Sequence, residues 1–173
     1  MREIRIYGDP VLRKKAKAIE VFDEELRRFV EEMKETMLAR DGVGLAAPQV
    51  GESVRLAVVD PSGGEEPPLV LINPEVVESS EESEDYEEGC LSLPDINLKI
   101  RRPRRVSVRA HDARGHAFSI ENAEGLLSRA LQHEIDHLDG IMIVDHVSPL
   151  QRQMLSGKLR KLAKTQKAGA RTA

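Results

Sequence analysis

The sequence predicts one domain that combines helices and strands, and three observations carry that prediction. Amphipathic helical patterns occupy both ends of the chain, and short β-branched or alternating runs bounded by turn residues fill its middle. One further helical segment, from about Asn122 to Asp139, is apolar nearly all round. A helix of that kind belongs in the interior of a fold, packed on several sides. A length of 173 residues suits one domain with a single core, and 40% apolar with 32% charged residues is a globular profile. Aromatic residues make up only 3%, so Leu, Val, Ile and Ala must fill that core.

Asp9-Pro10 places an N-cap before a proline at the first helical position, which predicts a short helix through about Ala16. From Asp23 to Arg40, Leu26, Phe29, Val30, Met33 and Met37 keep the i, i+3, i+4, i+7 spacing of an amphipathic helix. Residues 42 to 51, with Gly42, Gly44 and Gly51, read as a small-residue loop that packs closely on a neighbour. Strands follow at 54–59 and 69–72 across the turn Pro61-Ser62-Gly63-Gly64. Val106, Val108 and Ala110 alternate with polar neighbours, and Asp112-Ala113-Arg114-Gly115 turns the chain into a partner strand at 117–120. Asn122 can cap the apolar helix and Gly140 can close it. A last helix starts at Ser148 or Pro149, with Leu150, Met154, Leu155, Leu159 and Leu162 on one side. The expected division is a body of 1–148 and a basic C-terminal helix with a frayed tail at 149–173.

A single cysteine cannot form an internal disulfide, the N-terminus has no apolar run suited to a signal peptide, and no stretch approaches the ~20 apolar residues of a membrane span. A cytoplasmic protein is expected. The net charge of −4 is unevenly spread. Acidic residues crowd 78–88, whereas after Asp145 no acidic residue occurs and Arg and Lys recur from Arg152 to Arg171. That asymmetry fits either an interaction tail or a solvated helix face with a frayed end.

The chemistry concentrates in His133-Glu134-Ile135-Asp136-His137. Two imidazoles at i, i+4 share one helix face and can bind one metal ion, with Glu134 beside it to handle a proton. A histidine on an apolar helix is more often a satisfied core residue. Three ionisable groups on a buried face, however, need a partner, and a metal supplies one. A third ligand is required; Cys90, His111, His116, His146 and the carboxylates are the candidates by type. Cys90 is the best of them, because two His and one Cys leave a position open for water, as in catalytic sites. A lone Cys otherwise reads as a small buried hydrophobe, and His111 and His146 read as surface residues. Gln49, a neutral amide among small and apolar residues, can hold a developing oxyanion without adding charge.

Gly42-Val43-Gly44-Leu45-Ala46-Ala47-Pro48-Gln49, Glu88-Gly89-Cys90-Leu91-Ser92 and Gln132-His133-Glu134-Ile135-Asp136-His137, in this order, resemble the three signature motifs of the peptide deformylases. The similarity extends to about Pro149. It implies an α+β fold, with antiparallel β-sheets around a central metal-binding helix and helices at both termini. It also implies removal of the formyl group from the N-terminal formyl-methionine of nascent chains. By the same resemblance Cys90, His133 and His137 are the metal ligands, and Glu134 is general base and then acid for attack of metal-activated water on the formyl carbon. Gln49 and the Leu91 backbone N–H stabilise the oxyanion. Val43, Gly44, Tyr86, Leu126, Arg129 and Ala130 line the methionine pocket. The implied metal is Fe(II) in cells, with Zn(II), Ni(II) or Co(II) as substitutes.

The chain departs from the family pattern at Tyr86 and Arg129, where aliphatic residues are frequent. Only the methylene stem of Arg129 is expected on the pocket, with its head reaching water. Residues 95–98 also lack an arginine that some members place along the peptide backbone. The resemblance further implies docking of the basic C-terminal helix at the ribosome surface, where phosphate-rich RNA attracts it; a monomer is expected. Two rival readings stand beside this one: a zinc endopeptidase built on the same histidine motif, and a non-catalytic ribosome-binding module with a structural metal site.

Overall fold

The computed structural model describes residues 1–172, with side chains through 169. Among the described residues there are three α-helices, seven strands and three short 3-10 turns. Helix α1 spans Glu24–Ala39 and starts where the Asp23 side chain accepts the Leu26 N–H. Its inner face presents Leu26, Val30, Met33 and Met37, all buried. The predicted helix at Pro10 is only a 3-10 turn, Pro10–Arg13, capped by Asp9. The apolar pattern offers a single buried side chain there, Leu12, too little to stabilise further turns.

Strand β1 (Gly44–Ala46) and a 3-10 turn (Ala47–Val50) occupy the segment expected to be a loop. β1 is a strand because β2 (Leu56–Val59) lies antiparallel beside it, with Gly44 opposite Val59 and Ala46 opposite Ala57. Strand β3 (Leu69–Ser79) is longer than the sequence pattern indicates, and β4 (Ser83–Cys90) and β5 (Leu93–Pro103) form a long hairpin. The predicted pair near 106–120 is β6 (Val106–His111) and β7 (Ala117–Ala123). Two antiparallel sheets result: β1-β2-β3-β6-β7, and β4-β5.

Helix α2 (Gly125–Leu138) starts later than expected. Asn122 belongs to β7, and Glu124 stands at the N-cap without a capping side-chain bond. Gly140 ends the helix with φ +76°; a Cβ there would lie 2.7 Å from the Arg13 carbonyl oxygen, so only glycine fits. α2 packs Ala130, Leu131 and Ile135 into the core shared with β2, β3 and β6. Its opposite side reaches the second sheet, where Gln132 Nε2 donates to the Pro103 carbonyl and Arg129 Nη1 to the Ile100 carbonyl.

Helix α3 (Pro149–Thr172) lies against the N-terminal segment. Gln166 Oε1 accepts the Ile6 N–H, and Gly8 approaches Ala163 so closely that a Cβ would meet its Cα at 2.6 Å. Leu159 is buried, and Leu155 and Leu162 pack beside it. Leu150 and Met154 differ from the expected single apolar side: they are 68% and 78% exposed.

Candidate functional site

Helix periodicity places His133 and His137 one turn apart, and the β4–β5 hairpin delivers Cys90 to the same point. His137 Nε2 lies 3.2 Å from His133 Nε2 and 3.3 Å from Cys90 Sγ. The three donor atoms all fall within 4.8 Å of one another. Bonds of 2.0–2.3 Å to one ion put tetrahedral donors roughly 3.5 Å apart, so this spacing fits a single metal ion. Of the other donors considered for this cluster, His111 and His116 lie at the β6–β7 turn, and His146 meets Asp136 Oδ2 at 2.8 Å. His111 is not a plain surface residue, because its buried Nδ1 lacks a partner and its ring lies against Phe22.

Charge supports the same fit. Burial opposes protonation of His133, yet hydrogen bonds to Cys90 and Glu88 push its pKa well above the usual histidine value. The surroundings therefore stabilise positive charge where the three donors converge, which is what a divalent ion brings. Burial, reinforced by the His133 charge, pushes His137 well down and leaves a neutral ring with a free lone pair. The donor set is one cysteine sulfur plus two imidazoles, suited to a transition metal.

Glu134 is 4% exposed, and its Oε2 has no hydrogen-bond partner. Burial is the main cause that raises its pKa, to about 7, against the lowering effect of His133 and Arg102. Such a carboxyl can take and return a proton near neutral pH. β1 leaves room for it: a Cβ on Gly44 would sit 2.6 Å from Glu134 Oε1. The close neighbour expected for the glycine segment is this carboxylate.

Gln49 is buried in the 3-10 turn. Its Oε1 accepts the Ala46 N–H, and its Nε2 donates to Ser92 Oγ at 3.1 Å and to Cys90 Sγ at 3.6 Å. A cleft of about 650 Å³ opens beside these groups. Gln49, Cys90, Leu91, His133 and Glu134 line it, together with Val43, Gly44, Tyr86, Leu126, Arg129 and Ala130. Val43, Tyr86 and Leu126 expose apolar surface there, a lip able to receive an apolar side chain.

One expectation is overturned. The head of Arg129 does not reach water; the residue is 6% exposed. Its guanidinium donates to Glu88 Oε2 at 3.0 Å, to the Ile100 carbonyl at 2.6 Å and to the Glu84 carbonyl. Three acceptors supplied by β4 and β5 outbid solvent. Glu88 itself was not singled out by sequence reasoning, nor was Arg102. Arg102 donates through Nε and Nη2 to both oxygens of Glu88 and through Nη1 to Asp136, while Glu88 Oε1 meets His133 Nδ1 at 3.0 Å. Burial alone would raise the Glu88 pKa, but these His133 and Arg102 contacts hold it down at about 2. The available signal was the alternation Ile96, Leu98, Ile100, which continues to Arg102 on the buried face of β5.

A cysteine sulfur and two imidazoles around one point, beside a buried carboxyl and an open cleft, are the donor set and proton carrier that metal-dependent hydrolysis calls for. Comparison with known proteins specifies the kind. Residues 1–153 match the family model described as polypeptide deformylase. A peptide deformylase of Thermotoga neapolitana is 50% identical over 165 residues, 95% of this chain and 98% of that protein. One from Brucella suis is 46% identical over 165 residues, 94% of each. The crystal structure of a peptide deformylase from Legionella pneumophila superposes with a TM-score of 0.88 at 45% identity, covering 96% of this chain and 98% of that one. The chain belongs to the polypeptide deformylase family, metal-dependent hydrolases that remove N-formyl groups. Neither the general endopeptidase nor the non-catalytic module is favoured by these relationships.

Proposed function

We propose that Cys90, His133 and His137 hold one divalent metal ion, Fe(II) in cells and replaceable by Zn(II), Ni(II) or Co(II), and that Glu134 is the proton carrier for hydrolysis of the formyl group on nascent formyl-methionyl chains. The observation that carries this reading is the buried, unpartnered Oε2 of Glu134 beside three converging donor atoms. When bound, the metal supplies Lewis acidity, which brings the pKa of water down to roughly 7 in the best cases. Glu134 accepts the proton of the attacking water and later delivers it to the departing amine nitrogen. Gln49 Nε2 and the Leu91 N–H donate to the formyl oxygen as negative charge develops on it, each worth about 3 kcal/mol. Gln49 can give up its long Cys90 contact for this while Ser92 and Ala46 keep the amide aimed.

The methionine side chain enters the cleft between Val43, Gly44, Tyr86, Leu126, Arg129 and Ala130. A formyl carbon bears only hydrogen, so a tight space at Gly44 and Glu134 admits it and turns away larger acyl groups. Formate release from formyl-Met-Ala-Ser, with casein cleavage as the control, tests the activity. Casein cleavage without formate would overturn the reading.

Residues 1–148 are the catalytic body in this proposal, and the basic C-terminal segment 149–173 holds a cytoplasmic, monomeric enzyme near the ribosome surface; the frayed tail expected at its end lies at the edge of and outside the described residues. Support comes from the Arg and Lys side chains that follow Asp145 without an intervening acidic residue. Attraction of this kind weakens steeply with salt. Truncation after Ser148 should abolish low-salt co-sedimentation with ribosomes; unchanged co-sedimentation would remove the docking role.

A further inference from the structure

Arg129 belongs at once to the wall of the cleft and to the hydrogen-bond shell around the histidine pair. It precedes His133 by four residues on α2, so the two side chains stand one turn apart on the same face. Both reach one carboxylate: Arg129 Nη1 is 3.0 Å from Glu88 Oε2, and His133 Nδ1 is 3.0 Å from Glu88 Oε1. Arg102 grips the same carboxylate through both oxygens. Arg102 also donates to Asp136, so it ties Glu88 to α2 on the C-terminal side of His133. Arg129 ties the same carboxylate directly to α2 on the N-terminal side, so the two together fix where Glu88 stands along the helix. Its two bonds to the Ile100 and Glu84 carbonyls hold the guanidinium against β5 and β4, and Tyr86 covers it at 5.8 Å from the ring centroid.

We propose that Arg129 is a positioning residue that joins the side-chain pocket to the metal centre: its stem shapes the pocket, its guanidinium fixes Glu88, and Glu88 fixes the ring of His133. Both halves rest on the function proposed above, the pocket half on its substrate and the metal half on His133 as a ligand, and the two are read by separate measurements. Outer contacts to ligating histidines are typically worth 10–100-fold in metal affinity. Methionine at 129 keeps an unbranched apolar stem and removes the donors. Zn(II) affinity of Arg129→Met, read by competition with a chromophoric chelator, should fall at least tenfold. KM for formyl-Met-Ala-Ser should stay within about twofold while kcat drops with the metal site.

In a Glu88→Gln background the same substitution should cause little further loss of Zn(II) affinity, because the path is already broken. Wild-type Zn(II) affinity in Arg129→Met, with only a lowered melting temperature, would reduce Arg129 to a structural clamp. Should Arg129→Met not fold, Arg129→Gln decides by the same titration: weakened Zn(II) binding supports the proposal and unchanged binding overturns it. If neither variant folds, the residue serves the fold and the positioning role is rejected. A parent protein that releases no formate would remove the methionine pocket, and the chelator titration would still judge the link to His133.

Discussion

Glu134 and Gly44 depend on each other. The carboxyl occupies the space where any other residue at 44 would place its Cβ, 2.6 Å from Oε1. Gly44→Ala should therefore displace Glu134 and cost about 1–3 kcal/mol of stability. Steady-state assays should find formate release reduced about a hundredfold or more, since misplaced catalytic groups lose that much. Burial of Glu134 has a consequence for stability in the metal-free protein. Its native pKa of about 7 exceeds the ordinary 4.5, so between these values the native state holds a proton that the unfolded chain has lost. The associated stability is complete below pH 4.5 and disappears as pH rises through 7. Its size is on the order of 3 kcal/mol. Glu134→Gln removes this dependence. Urea titrations of the two metal-free proteins should show the variant gaining on its parent from pH 4.5 to 8; parallel curves would mean that the carboxyl is not raised.

At the scale of elements, α3 makes a simple contrast. Leu159 is 5% exposed, whereas Leu150 on the same helix is 68% exposed. Leu159→Ala should cost about 2–4 kcal/mol in urea unfolding and loosen α3 from the Ile6–Asp9 segment. Leu150→Ala should fall within about 0.5 kcal/mol of the parent. Helices α1 and α2 and the β6–β7 hairpin are legible in the sequence because each keeps one clear period or one strong turn. The β4–β5 hairpin is not, although it carries Cys90. Its first strand is crowded with Glu and Asp, residues of poor strand propensity. Pairing overrides this: Glu84 lies opposite Arg102, Asp85 opposite Arg101 and Glu87 opposite Lys99. Those pairings depend on register, which a window on one strand cannot reveal. The site follows the same division. His133, Glu134 and His137 are readable as residue types at short spacing, and Cys90 as the chain's only cysteine. The Glu88–Arg102–Arg129 cluster unites β4, β5 and α2, and beyond the alternation that reaches Arg102 it has no local signature.

At the scale of the molecule, α2 joins the five-stranded sheet to the β4–β5 hairpin, and the donor cluster lies at that junction. A metal bound there would tie helix to hairpin and stabilise the whole chain. Stripping metal with a chelator should lower the melting temperature, and Zn(II) restored at 1,000 times its dissociation constant should add about 4 kcal/mol. A thermal scan that does not respond to either step would place the ion elsewhere. Among the described residues, no helix is long and apolar enough to cross a membrane, and nothing in this arrangement requires one.

Cys90 is the chain's only cysteine, and its sulfur is one of the three converging donors. A coordinated thiolate is shielded from alkylating and disulfide reagents, whereas a free one beside an open cleft is not. A thiol reagent such as Ellman's therefore meets one sulfur only, with no background from other positions. With Cys90 holding the metal as proposed, the extent of its reaction in native buffer measures the unloaded fraction, and denaturation gives the total. Oxidative damage at the same atom would register as a deficit in that total. The protein thus carries an internal gauge of how much of any preparation is competent.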